Sequence, residues 1–164
     1  ISQYGVHSLS KQDPGYDLND ADWGGPGVYS GDAPELIEDL FNSGYPDKAE
    51  DVMIRILWWG KYLLYYPQAI VADKIDYRHN GRANVVAGIA SAQSVLFGML
   101  GLQFSPDGKV SIKPEKTTLF DNFYLDGLLI KGKSTCISIK GNTISVKVAG
   151  EDVVAGEFGQ RIYF

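Results

Sequence analysis

The sequence predicts an α+β chain in which helices come first and antiparallel strands follow. Two observations carry this. Up to Leu102, apolar residues recur at helical spacing, ending in Asn84-Val-Val-Ala-Gly-Ile-Ala-Ser-Ala-Gln-Ser-Val-Leu-Phe-Gly-Met-Leu-Gly-Leu102; beyond it the pattern switches to alternation and short turns. The second part opens with Gln103-Phe-Ser-Pro-Asp-Gly-Lys-Val-Ser-Ile-Lys-Pro114, a short strand, a Pro-Asp-Gly turn and a second strand. The expected domains are therefore 1–102, helical, and 103–164, strand-rich.

Residues 1–29 are rich in Gly, Asp, Asn, Tyr and Ser and follow neither period, so they read as a long structured loop. Loops of that length in compact domains tend to bind or react rather than merely connect. A first helix is expected from about Ala33 to Asn42, with Ser30 or Asp32 as N-cap, Pro34 in the first turn, and Gly44 as the stop. A second begins after Tyr45-Pro46-Asp47 and continues toward Leu64, with Ala49, Val52, Met53, Ile56, Leu57 and Gly60 on one face. The two form a helical hairpin. Trp58 and Trp59 are adjacent on it, so at least one faces away from the core; packing is their expected role. Tyr65-Tyr66-Pro67 ends this helix and opens a second loop, Gln68–Ala83, before a helix over 84–100. Its glycines each cost about 1 kcal/mol against alanine, so its surroundings must hold it. In the tail, 119–121, Phe123–Lys131, Ser134–Lys140 and Thr143–Ala149 alternate or run apolar, separated by turn signals at Gly132-Lys133 and Gly141-Asn142. That spacing predicts the hairpins of a small antiparallel β-sandwich.

Bulk properties narrow the function. With 164 residues and 45% hydrophobic content the chain can bury roughly 70% of its surface. A net charge of −5, with acids concentrated before residue 52, argues against a nucleic-acid partner, because phosphate binding needs a basic face. The single cysteine, Cys136, rules out a disulfide framework within the chain and reads as a small buried hydrophobe in Thr135-Cys-Ile-Ser-Ile139. Two histidines without clustered partners predict no metal site, since zinc needs three or four converging ligands. Asp17-Leu-Asn-Asp20 lacks the glycine and terminal glutamate of a calcium loop. No phosphate-gripping or dinucleotide fingerprint is present, so no cofactor is expected. Apolar stretches fall short of the roughly 20 residues that span a bilayer, which predicts soluble material. No basic-then-apolar leader follows Ile1, and the compartment (secreted, periplasmic or cytoplasmic) stays open.

The run Ala92-Gln-Ser-Val-Leu-Phe-Gly-Met-Leu-Gly-Leu102, followed by the Pro-Asp-Gly-Lys hairpin and Ile-Lys-Pro, resembles the end of an (α/α)6 barrel of the six-hairpin glycosidase superfamily. That superfamily includes α-L-rhamnosidases, maltose-phosphorylase-like proteins and glucosidases. Asp22-Trp-Gly-Gly-Pro26, with the helices after it, is similar to the family's Trp-Arg-Gly-Pro loop and following hairpin. The resemblance covers nearly the whole chain and implies a last barrel helix running directly into a C-terminal β-sandwich. A full barrel needs about twelve helices and only three or four are legible here, so it implies the C-terminal part of a larger enzyme. Barrel-facing helices without their neighbours would expose apolar patches that favour self-association.

Glycoside hydrolysis usually employs two carboxylates, roughly 5 to 9.5 Å apart. The resemblance places the general acid upstream of this chain, and a base or base-orienting group in the loop before the last helix, Ala72-Asp-Lys-Ile-Asp-Tyr-Arg-His-Asn-Gly-Arg82. Many relatives carry a glutamate there; this chain carries none, leaving Asp73 and Asp76 as candidate bases. The structural alternative is that they cap the loop or pair with Arg78 or Arg82. Trp23 offers an apolar face to sugar C–H bonds, and Asp20, Asp22, Tyr29 and Asp32 accept hydroxyl hydrogen bonds, a combination suited to a carbohydrate subsite. Alternatively Trp23 plugs the barrel while Gly24, Gly25 and Pro26 shape a turn. Arg78 and His79 lie in a polar loop suited to a sugar or phosphate oxygen. The expected function is the C-terminal part of a glycoside hydrolase acting on an oligo- or polysaccharide, inactive as this fragment alone. The alternatives are a non-catalytic carbohydrate-binding or assembly module, or an inactive truncated homologue.

Overall fold

The computed structural model describes residues 1–20, 24–76 and 82–164, with the backbone alone for 152–154. The chain mixes helices with antiparallel sheets, as an α+β chain should, and divides into two compact units, Ile1–Gly98 and Met99–Phe164.

In the first unit, α1 (Asp32–Asn42) and α2 (Pro46–Leu63) form the expected hairpin. The stop between them is a Schellman turn. Gly44 sits at φ +80°, the Tyr45 N–H donates to the Leu40 carbonyl at 2.8 Å and the Gly44 N–H to that of Phe41 at 3.1 Å. At the start of α1 the expected cap is not found: Gly31 occupies the cap position and no side chain caps it. Both expected caps are engaged elsewhere. The Ser30 hydroxyl donates to the Pro67 carbonyl at 2.6 Å, and Asp32 lies in the first turn, accepting from Ser8. On α2, Ala49, Val52, Met53 and Ile56 are buried as expected, but Leu57 is exposed and the next core position is Trp59, three residues after Ile56.

The two loops expected at 1–29 and 68–83 each contain a short strand. Here β1 (Gly27–Tyr29) pairs antiparallel with β2 (Ala69–Val71), Val28 facing Ile70. Three residues are too few to register a period, yet Val28, Ile70 and Ala72 form a buried cluster with Trp59. The predicted helix 84–100 is α3 (Val85–Gln93) followed by a π-helical segment, Ser94–Met99. Hydroxyls explain the loosened turn: Ser91 donates back to the Ala87 carbonyl at 2.7 Å and Ser94 to that of Ser91 at 2.8 Å. Gly98 lets α1 come close there: a Cβ would lie 3.1 Å from the Cα of Glu38, a tight contact.

The second unit holds two antiparallel sheets. One orders β3 (Gln103–Phe104), β4 (Val110–Ile112) and β9 (Ile162–Tyr163); the other orders β5 (Asn122–Ile130), β6 (Lys133–Lys140), β7 (Thr143–Val148) and β8 (Glu151–Glu157). The expected Pro-Asp-Gly turn joins β3 to β4, with Gly108 at φ +83° and Asp107 accepting from the Ser105 hydroxyl. Tight two-residue turns connect the four-stranded sheet: Lys131-Gly132 and Ala149-Gly150 have positive φ at both residues, the geometry that follows strand twist. The segment 119–121 is not a strand, and β8 and β9 lie beyond the strands read from the sequence. Cys136 is also corrected. It is half-buried on the face opposite buried Ile137 and Ile139, where its thiol and then Asp126 push the Tyr124 hydroxyl up to about 12.

Candidate functional site

The N-terminal segment acquires its shape from side chains on α2 and β2 rather than from a repeating backbone pattern. Tyr4 donates its N–H to the Ala72 carbonyl at 2.8 Å and accepts from the Trp59 indole at 2.7 Å. Arg55 donates to the carbonyls of Ser2 and Gln3, both at 2.8 Å, and is itself held by Asp51 four residues earlier. Trp58 stacks on Tyr62 with centroids 4.9 Å apart, and Tyr4 packs against it at 5.5 Å. Both tryptophans therefore pack, as the sequence suggested.

Further along, this segment meets the loop after β2. Lys11 donates to Asp73 Oδ2 at 2.9 Å, and the His7 Nε2 lies 2.8 Å from the Ser2 hydroxyl and 3.5 Å from Asp73 Oδ1. Lys11, then the Ser2 hydroxyl, hold the Asp73 carboxyl below its usual range, and Asp73 in turn raises the Lys11 ammonium. The grouping resembles a Ser-His-Asp relay in composition but not in geometry. Both Ser2 and Asp73 approach the same ring nitrogen, whereas a relay needs them on opposite ones. The other nitrogen, Nδ1, is buried with no hydrogen-bond partner among the described residues.

Asp76 differs from Asp73. It is only 3% exposed, its backbone closes the turn onto Val71, and Lys74 approaches its carboxylate at 3.4 Å. Thus a lysine lies against each of these aspartates. A paired carboxylate whose affinity for protons is reduced is a weaker general base than a free one.

Three of the sequence-derived substrate contacts fall on described residues. Tyr29 and Asp32 come together, with Ser8 and Leu9, around a cleft of about 400 Å³. Ser8 organises it: its hydroxyl donates to Asp32 Oδ2 at 2.7 Å and accepts the Tyr29 N–H at 3.2 Å. Gly31 makes room, because a Cβ there would strike the Tyr29 ring. Asp20 is half-buried, its carboxylate against Gly24, and the Asp17 carbonyl occupies the space a Gly25 Cβ would need. Gly25 thus admits a close backbone approach and Gly24 a close side-chain one. Asp22, Trp23, Arg78 and His79 lie outside the described residues. Sequence reasoning missed Ser2, His7, Ser8 and Lys11, which occupy a loop without period and gain their roles only from partners far along the chain. Among the described residues no cluster of histidine, cysteine and carboxylate side chains suits a metal ion, and no helix is long and apolar enough to cross a membrane.

No family model matches the sequence, and no curated protein matches it. Among solved structures the chain is similar to a sialidase, with a TM-score of 0.73 at 15% identity, over 99% of this chain. It spans 17% of the length of that protein. At this identity the likeness is one of fold.

Proposed function

We propose that this chain is the C-terminal part of a carbohydrate-active enzyme of the glycoside hydrolase class. In this reading the helices of 1–102 are the last hairpins of an (α/α)6 barrel and residues 103–164 a structural β-sandwich. The chain's contribution is substrate contact from the 13–32 and 68–82 loops. Tyr29, Asp32, Asp20, Asp22 and Trp23 are the candidates from the first loop, and Arg78 and His79 those from the second. Asp73 and Asp76 are the carboxylates available to a water-activating role.

The observation that carries this reading is the cleft at the start of α1, where an aromatic ring, a hydroxyl and a carboxylate converge on a volume able to admit a sugar ring. The fold likeness to a sialidase supports it. The test is turnover of a panel of aryl glycosides and oligosaccharides by the full-length gene product and its Asp73→Asn and Asp76→Asn variants. Loss of a general base lowers kcat by about 10²–10⁴-fold with little change in KM. A variant that keeps kcat within a few-fold assigns its aspartate to structure. Binding without turnover in the wild type favours the non-catalytic module, and absence of both binding and turnover across the panel removes the carbohydrate reading.

A further inference from the structure

We infer that Asp32 makes the cleft beside α1 selective for uncharged sugars over sugar acids, a specificity that rests on the carbohydrate reading above. Of the four described residues lining the cleft, Ser8, Leu9, Tyr29 and Asp32, only Asp32 carries a formal charge. Its Oδ2 accepts the Ser8 hydroxyl at 2.7 Å, which orients the carboxylate while leaving acceptor capacity on both oxygens. Sugar hydroxyls are donors that such a group can accept. Tyr29 and Leu9 supply apolar surface for the C–H side of the same ring.

A sugar carboxylate meets the opposite situation. The start of a helix attracts anions with roughly half an elementary charge, but the first turn of α1 already holds Asp32 and Glu35, whose full charges outweigh it. Lys11, two residues after Leu9, is committed to Asp73 at 2.9 Å. An added carboxylate would sit beside an exposed like charge at the protein surface, where the effective dielectric is lower than in bulk water and added salt screens the repulsion.

Methyl glucoside and methyl glucuronide differ only at C6, a hydroxymethyl in one and a carboxylate in the other, and the Asp32 variants separate the effect of charge from that of the lost hydroxyl. Their affinities for the full-length gene product, by competition saturation-transfer NMR at neutral pH, are expected to differ by about tenfold or more in favour of the neutral sugar. N-acetylneuraminic acid is expected to rank with the glucuronide. Asp32→Asn should close the gap to about threefold or less, while Asp32→Glu, which keeps the charge, should retain it. Each variant's thermal melting checks that it folds; if Asp32→Asn does not, raising the salt to 1 M should narrow the wild-type gap in its place. Equal or tighter binding of the acids, or a gap that survives Asp32→Asn, overturns the charge selection and leaves the carbohydrate reading standing. Failure of every sugar, neutral or acidic, to bind overturns both.

Discussion

At the residue scale, the N-terminal segment is fastened by single polar contacts, and the Lys11–Asp73 pair gives the clearest readout. Asp73 titrates below its usual range in the folded chain because Lys11 and Ser2 stabilise its charged form. Its contribution to stability is therefore complete above the ordinary carboxylate range and disappears as pH falls through the depressed value. Lys11 is raised, so its side of the linkage holds below the ordinary lysine range and is lost as pH rises through the raised value. Lys11→Met is expected to return the Asp73 carboxyl toward its ordinary value and flatten the acid limb of the stability profile. Carbon-detected NMR titration of Asp73 checks this, and an unmoved Asp73 would mean that Ser2 rather than Lys11 sets its charge. The same pair explains why the sequence was only partly legible here. Asp73 stood out as a carboxylate in a loop, but a partner 62 residues away leaves no local trace.

At the element scale, α3 begins at a three-way junction. The Asn84 side-chain oxygen accepts the Ala87 N–H at 3.1 Å, its amide donates to Ser30 at 3.0 Å, and Ser30 reaches the Pro67 carbonyl. One side chain thus caps a helix and ties the ends of β1 and α2's following loop to it. Asn84→Ala is expected to cost about 1–2 kcal/mol, toward the upper end of cap losses because Ser30 is buried and loses a partner. Urea unfolding measures it; a loss under about 0.5 kcal/mol would show that water replaces both contacts. Elements with strong local signals were legible, among them the α1–α2 hairpin with its Gly44 stop and the Pro-Asp-Gly turn. The π-helical segment was not, since a serine's return bond to a backbone carbonyl competes with a helical pattern without altering it.

At the scale of the whole molecule, the first unit leaves apolar helix surface uncovered. Val85, Val86 and Ile89 on α3 are 71, 59 and 57% exposed, beside a groove shared with Glu35 and Glu38 of α1. Burial first, then Asp39 and Glu35, raise the Glu38 carboxyl. In the proposed barrel these faces would meet further helices; without them, water is displaced most readily by another copy. The 164-residue chain expressed alone is therefore expected to self-associate at micromolar concentration, and Val86→Lys with Ile89→Lys should weaken that association about tenfold or more. Light scattering across a dilution series measures it. A monomer at all concentrations would mean that this face tolerates water and would count against the incomplete-barrel reading.

The sequence by itself determined what depends on neighbours along the chain: the α1–α2 hairpin with its stop, the switch to a strand-rich second part with its turns, and an acidic net charge. These follow from periodicity, special φ values and net charge, each a local or summed property. Tertiary structure decided the rest. The pairing of β1 with β2, the displacement of Leu57 by Trp59 in the core, the outward turn of Cys136, and the gathering of Ser8, Tyr29 and Asp32 around one cleft all depend on which distant groups compete for the same side chain. Ser30 illustrates the reason: by local rules it is a helix cap, but the buried Pro67 carbonyl needed a donor, and leaving that group unpaired costs more than leaving the first turn of α1 without a side-chain cap.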